Sequence, residues 1–270
     1  MNISKNIHTF IGCDSDYAES RIAIFGAPFD STTSYRPGAR FASSAMRNES
    51  YGIETYSPYQ DKDLLDAEIF DCGDLELCFG SPESALNDIE KMTENIISDG
   101  KLPIMIGGEH LVTLGAVRAA VKKYPDLRIV HFDAHADLRD DYLGQKLSHA
   151  CVMRRCHELL GDGKIFQFGI RSGDREEFLW GREHVYTNRF DFSGIERIKE
   201  KTGDRPVYFT LDLDVLDPSC FCGTGTPEAG GVSYNELIKA IEKVSELNVI
   251  GLDINELSPV SYTHLTLPTT

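Results

Sequence analysis

Short apolar runs recur along the chain, separated by longer mixed segments. "RIAIFGAP", "AEIFDCG", "LPIMIGG", "LRIVHFDA", "KIFQFGIR", "VYFTLDLD" and "VIGLDIN" are nearly continuous in apolar residues rather than alternating. That is the pattern of strands buried on both faces. The segments between them repeat apolar positions at helical spacing: "SPESALNDIEKMTENIISDG", "LVTLGAVRAAVKKY", "REEFLWGR", "FSGIERIKEKTG" and "SYNELIKAIEKVSEL". In the first of these, Ser81 stands as an N-cap and Gly100 follows the end. Strands alternating with helices predict an α/β fold with a mainly parallel sheet covered on both faces, a three-layer αβα sandwich. No repeat, linker or composition break divides the chain, so residues 1–260 are expected to form one domain.

Polar residues interrupt this pattern at the ends of the strands. "IMIGGEH" closes on Glu109 and His110, and "IVHFDAHAD" on Asp133, His135 and Asp137. "VYFTLDLDVLDP" closes on Asp212, Asp214 and Asp217, and "VIGLDINE" on Asp253 and Glu256. In open parallel sheets ligands gather beyond the carboxyl ends of strands. Residues two apart on an extended chain share a side, which predicts that Asp133, His135 and Asp137 face together, at least until the strand gives way to a loop, and Asp212 with Asp214. Carboxylates crowded in a poorly solvated place repel one another unless cations intervene.

Each motif alone also fits a solvated strand end; their conjunction at successive strand ends points to metal. His110, Asp133, His135, Asp137, Asp212 and Asp214 offer carboxylates and imidazoles without a thiolate, a donor set suited to a hard divalent ion such as Mn(II). Six ligands exceed what one catalytic ion takes with a position left open, so two ions are expected.

Charge narrows the partners. The 270 residues carry 27 basic and 43 acidic side chains, a net −16, which argues against nucleic acid and is compatible with a cationic substrate. No run is long and apolar enough for a membrane helix, and "MNISKNIHTF" lacks the form of a leader. The seven scattered cysteines, Cys220 and Cys222 among them, read as free thiols in a reducing cytoplasm. The glycine-rich "GTGTPEAGG" lacks the lysine of a phosphate loop and reads as a loop shaping the site entrance. Arg36 and Arg40 suit anion binding, loop packing or a subunit contact.

The chain resembles the ureohydrolases, the arginase and agmatinase family, and most of all its bacterial agmatinase branch. "FGAPFDSTTSYRPGARFASSAMR", "GGEH", "HFDAHADL", "LSHACVMRR", "GIRSG", "TLDLDVLDPSCFCGTGTPEAGG" and "GLDINELSP" carry the resemblance in the family's order, across roughly residues 20 to 260. It implies a doubly wound, arginase-like αβα fold of about eight strands, a homo-oligomer, and two Mn(II) per chain. It further implies hydrolysis of a small cationic guanidino compound, with agmatine converted to putrescine and urea. By the resemblance, His110, Asp133, Asp137 and Asp212 hold one ion, and Asp133, His135, Asp212 and Asp214 the other. Asp137 is then the candidate to move the proton of the attacking water. Glu256 matches the family's guanidinium-holding carboxylate, and His149 the entrance histidine that binds substrate and relays protons.

His131 matches no ligand position, and His8, His157, His184 and His264 receive no role. "LRDDYLGQKLSH" is shorter than the loop by which arginases read an amino acid, which favours an amine, although Arg139 leaves a carboxylate possible. The alternatives are an arginase or another guanidino-acid hydrolase, a non-catalytic metal-binding relative or inactive truncated product, and a zinc deacetylase holding one ion. Two departures remove no catalytic group: "HAC" after the serine, and the thiols of "SCFC". The tail "SYTHLTLPTT", covering 261–270, does not match and is expected to replace a C-terminal helix.

Overall fold

Apolar strands joined by helical segments can pair in parallel, because each crossover carries the chain back to the end of the sheet where the previous strand began. The computed structural model describes residue 6 and residues 8–259; the tail assigned to 261–270 and His264 lie outside these. β1 (Ile22–Ala27) leads through α1 (Ala42–Ser50) and a small antiparallel hairpin, β2 (Tyr56–Ser57) and β3 (Lys62–Asp63), to β4 (Ile69–Asp74). Next come α2 (Pro82–Ser98), β5 (Leu102–Gly107), α3 (Thr113–Lys123), β6 (Arg128–Phe132) and α4 (Val152–Leu160). β7 (Ile165–Ile170), α5 (Arg175–His184), β8 (Tyr186–Arg189) and α6 (Ile198–Thr202) follow. The described chain closes with β9 (Pro206–Asp212), α7 (Tyr234–Ser245) and β10 (Asn248–Asn255).

Eight strands form one sheet in the order β4-β1-β5-β10-β9-β6-β7-β8, and every pairing in it is parallel. The expected doubly wound αβα sandwich is present. Alternate residues of each strand serve opposite layers. Ile129 and Tyr208 join an apolar cluster with α2, α3 and α4, whereas Val130, Phe132, Val207 and Phe209 join one with α7. Ser81 caps α2 by accepting from the Ser84 amide, as its position predicted.

The β2–β3 hairpin, β8, α1 and α4 were not evident in the apolar pattern. β8 reads "YTNR" and lies at the edge, where one side has no strand to bury it. α1 and α4 are only nine residues each, too short for a periodic stripe to stand out beside the quoted motifs.

Because the strands are parallel, their carboxyl ends share one rim. β5, β10, β9 and β6 are consecutive in the sheet, although β5 and β6 are joined in sequence and the other two arrive last. This reversal of strand order is where such sheets open a crevice.

Candidate metal centre

The glycines of "GGEH" set the first wall. A Cβ on Gly108 would lie 1.9 Å from the Phe29 carbonyl oxygen, and one on Gly107 equally close to Asn255 Oδ1. This close approach lets the Glu109 amide donate to Phe29 O at 2.8 Å. The buried Glu109 carboxylate then accepts from the Thr32 amide (2.9 Å) and from the Thr32 and Thr33 hydroxyls. The N-terminal loop is thereby fastened to the rim, and Thr32 Oγ1 accepts in turn from the His149 amide.

His110, one residue on, faces three carboxylates. Its Nδ1 lies 2.9 Å from Asp133 Oδ2, 3.1 Å from Asp137 Oδ2 and 3.4 Å from Asp212 Oδ2. A second group joins at Asp133: His135 Nδ1 is 2.9 Å from Asp214 Oδ2 and 3.6 Å from Asp133 Oδ1. All six predicted ligands therefore converge, in two sets that share Asp133. Asp133, Asp137, Asp212 and Asp214 are each at most 5% exposed, and among the described residues none pairs with a lysine or arginine.

The backbone route to this convergence differs from strand alternation. β6 ends at Phe132, so Asp133, His135 and Asp137 lie beyond it on an irregular segment. Asp137 reaches His110 from a left-handed backbone, φ 54°. Asp212 is the last residue of β9; its Oδ1 accepts from the Asp214 amide at 2.8 Å and caps a 3-10 turn over Leu213–Val215. That turn brings Asp214 round beside Asp212.

The donor set fits divalent cations on several grounds. Burial pushes the Asp137 carboxyl up to about 7, with the nearby Asp133 adding to it. Burial also raises Asp212, reinforced by Asp214 and Asp133. Burial opposes a proton on His110, yet its contacts with Asp133 and Asp137 hold that imidazole well above its ordinary value. The cluster thus demands positive charge where the two rings meet the carboxylates, and metal competes with protons for such a place. His110 Nδ1 is buried and satisfied by no hydrogen bond of good geometry.

A row of polar residues beneath the rim holds the ligands. Asp253, Thr210, His131, Gln167 and Thr187 are register partners, one from each of β10, β9, β6, β7 and β8. Thr210 Oγ1 donates to Asp253 Oδ1 at 2.6 Å, which uses its single hydrogen. It must therefore accept at 2.9 Å from His110 Nε2, which in the neutral ring leaves Nδ1 as the free lone pair. Asp253 also accepts from the Tyr208 hydroxyl and the Asn255 amide. On the other side, the Thr187 hydroxyl donates to Gln167 Oε1, which orients the amide so that Nε2 donates to His131 Nδ1 at 3.1 Å. His131 Nε2 then donates to Asp133 Oδ2 at 2.8 Å. Burial lowers His131 below the ordinary imidazole value. His131 is no ligand in the resembled pattern, but it is a support of the shared carboxylate. Its spacing two before Asp133 was the available signal.

The remaining expected residues separate. Glu256 sits in the left-handed region, φ 63°, and its Oε1 accepts from the His110 amide at 2.8 Å. Burial, with Glu109 nearby, pushes its carboxyl up to about 8. His149 is half-buried, 3.3 Å from Ser34 Oγ and edge-on to Tyr142. Burial, with His135 adding, brings its imidazole down to about 4. His149, Asp137 and His135 line a cavity of about 290 Å³ with Arg139, Tyr142 and Thr226. Glu256 is not part of that wall. Thr226 comes from the glycine-rich loop, as does Glu228, which sequence reasoning passed over; Glu228 Oε1 lies 3.7 Å from His135 Nε2. Asp217 stays outside, accepting from the Ser219, Gly230 and Gly231 amides to shape the loop. Arg40 pairs with Asp30 and packs its loop. All seven cysteines are free.

The sequence profile of the arginase family matches residues 20–266. The agmatinase of Bacillus subtilis is 46% identical over 261 residues, 94% of this chain and 89% of that protein. A solved Clostridium difficile structure, named as a candidate agmatinase, superposes with a TM-score of 0.89 at 51% identity, covering 92% of both chains. The agmatine ureohydrolase of Thermoplasma volcanium superposes with a TM-score of 0.87 at 38% identity, covering 95% of this chain and 88% of that one.

Proposed function

The chain belongs to the arginase family, and on that premise we propose that it hydrolyses agmatine to putrescine and urea with two Mn(II) ions held at the rim. The family makes it a ureohydrolase, acting on a guanidino C–N bond, and family members are binuclear metal enzymes. His110, Asp133, Asp137 and Asp212 would hold one ion, and Asp133, His135, Asp212 and Asp214 the other. Two such cations, when bound, would lower the pKa of bound water and neutralise the buried acids.

The chain's own groups do the rest. Hydrolysis adds water's oxygen to the guanidinium carbon, breaks the bond to the substituted nitrogen and returns a proton to the departing amine. Asp137, in the cavity wall and beside His110, would take water's proton and hand it on. His149, in the same wall, relays the proton toward the entrance and packs the substrate. Glu256 would hold the planar cation through paired, charge-assisted hydrogen bonds. Its left-handed backbone is a constraint of the kind that persists where geometry serves function.

One observation carries the amine over an amino acid. Arg139, the only arginine or lysine in the cavity wall among the described residues, is held by Asp174 at 3.3 Å and Glu177 at 3.4 Å. Its charge is matched within the chain, leaving no unpaired cation there to receive an α-carboxylate. Asp174 and Glu177 set two carboxylates against that one guanidinium in the wall, an excess of negative charge that suits a terminal ammonium.

The test is a urea-release screen over agmatine, arginine, guanidinobutyrate and guanidine with Mn(II) supplied. Agmatine is expected to be hydrolysed fastest. Faster release from arginine or guanidinobutyrate would overturn the substrate and leave the guanidino chemistry standing. Elemental analysis of the purified protein is expected to show two manganese per chain; a single tightly held zinc would overturn the dinuclear reading.

A further inference from the structure

We propose that His157, Asp162 and His184 form a second metal site, remote from the first, that takes one late first-row divalent ion such as Ni(II), Cu(II) or Zn(II). His157 Nε2 lies 2.8 Å and His184 Nδ1 2.6 Å from the same oxygen, Asp162 Oδ1. The three donor atoms lie within 4.8 Å of one another. Two imidazoles and a carboxylate, with solvent for the open positions, are a donor set that late first-row ions favour.

Three separate features of the chain converge there. His157 lies in the last turn of α4 and His184 is the last residue of α5, and helix C-termini carry negative partial charge that favours a cation. Between them, "GDG" makes a tight turn with Gly161 at φ 86° and Gly163 at φ 69°. Its ends are pinned to the two histidines themselves: the Gly161 amide donates to His157 O at 2.7 Å and the Gly163 amide to His184 O at 2.9 Å. The turn therefore delivers the carboxylate to both rings by construction. Asp162 is 67% exposed, so an ion can enter from solvent. Ligands of a tetrahedral ion with bonds of about 2.0–2.1 Å sit about 3.3 Å apart. Opening the present contacts to that spacing asks for about half an ångström, within reach of an exposed aspartate side chain.

The place is independent of the rim. It precedes β7, whereas the rim follows the strands. β7 is six residues long, so at about 3.3 Å per residue the two lie about 20 Å apart. An ion here would clamp the turn before β7 to the end of α5.

The chain carries its own reporter. Trp180, its single tryptophan, stacks on His184 with centroids 4.2 Å apart and meets His157 edge-on at 4.7 Å. A paramagnetic ion bound to these rings quenches the indole. The test is titration of the manganese-loaded protein with Ni(II) and with Cu(II), following Trp180 emission. Saturable quenching at one equivalent is expected, prevented by prior Zn(II), with urea release unchanged. The Cu(II) electron paramagnetic resonance spectrum should show coupling to two nitrogens. Asp162→Asn and His157→Gln, both of which keep the Trp180–His184 stack, should each weaken quenching at least tenfold. Absence of saturable quenching in the parent, or equal quenching in Asp162→Asn, would overturn the site and leave a hydrogen-bonded His–Asp–His knot.

Discussion

The chain gathers histidine and aspartate twice, at the carboxyl rim of the sheet and at the turn between α4 and β7, and the two places are built in opposite ways. At the rim the carboxylates are buried and their partners are fixed from below by the polar row of Asp253, Thr210, His131, Gln167 and Thr187. At the turn the aspartate is exposed, and its Oδ1 meets the rings of its two histidines. The difference teaches what burial does to a cluster of like charge. Buried carboxylates without a counter-charge are costly, so the rim is incomplete without cations and its ligands must be held in place. Exposed groups are solvated whether or not an ion comes, so the turn can exchange one freely.

Several experiments would break or sharpen that contrast. The largest effect should come from Asp133→Ala, which removes the carboxylate shared by both ligand sets. Elemental analysis should find both ions lost and urea release abolished, whereas His110→Ala should deplete mainly one ion. Equal depletion in the two variants would mean that Asp133 is not shared. Glu256→Gln keeps shape and removes charge. It should retain both ions and lose ~2–4 kcal/mol of charge-assisted binding, about 30- to 1000-fold in rate. An unaltered rate with agmatine would remove Glu256 from the site.

Next in size is the polar row. Thr210→Val deletes the hydroxyl that fixes the His110 tautomer at nearly constant volume. Supports of this kind are worth about 10- to 100-fold in metal affinity, measurable by competition dialysis. Asp253→Asn acts through the same hydroxyl, so the double variant should lose much less than the sum of the two free energies. Full additivity would show that Asp253 does not act through Thr210. The smallest effect belongs to the turn: Asp162→Asn should leave urea release and manganese content as they are. A loss of either would mean that the two clusters communicate.

How much of this was legible beforehand varies with the distance over which each feature is decided. The six candidate ligands stood out because acids and imidazoles at the ends of apolar strands violate the burial pattern around them. The reason offered for their convergence was only partly right. Alternation is consistent with His131, on β6, meeting Asp133, one residue past its end. It does not account for Asp137, whose left-handed backbone lies beyond β6, or for Asp214, which is turned toward the site by the Asp212 cap. His131 was set aside because it fits no ligand position, and its actual role depends on Gln167, 36 residues away. His157 and His184 were given no role because they match no ligand position; they stand 27 positions apart in sequence, and only the packing of α4 and α5 around one turn brings them to Asp162.

By itself, then, the sequence determined the alternation of buried strands with covering helices, the cap at Ser81, and the rim on which the chemistry-bearing residues would fall. Those properties depend on local periodicity and on where polar groups can be solvated, and both are written within a few residues. Only the tertiary structure decided that β10 and β9 lie between β5 and β6, and that Asp253, Thr210, His131, Gln167 and Thr187 align in register. A buried strand reads the same whatever its neighbours are. Strand order and register are settled by the packing of the whole sheet, and with them which polar side chains find one another.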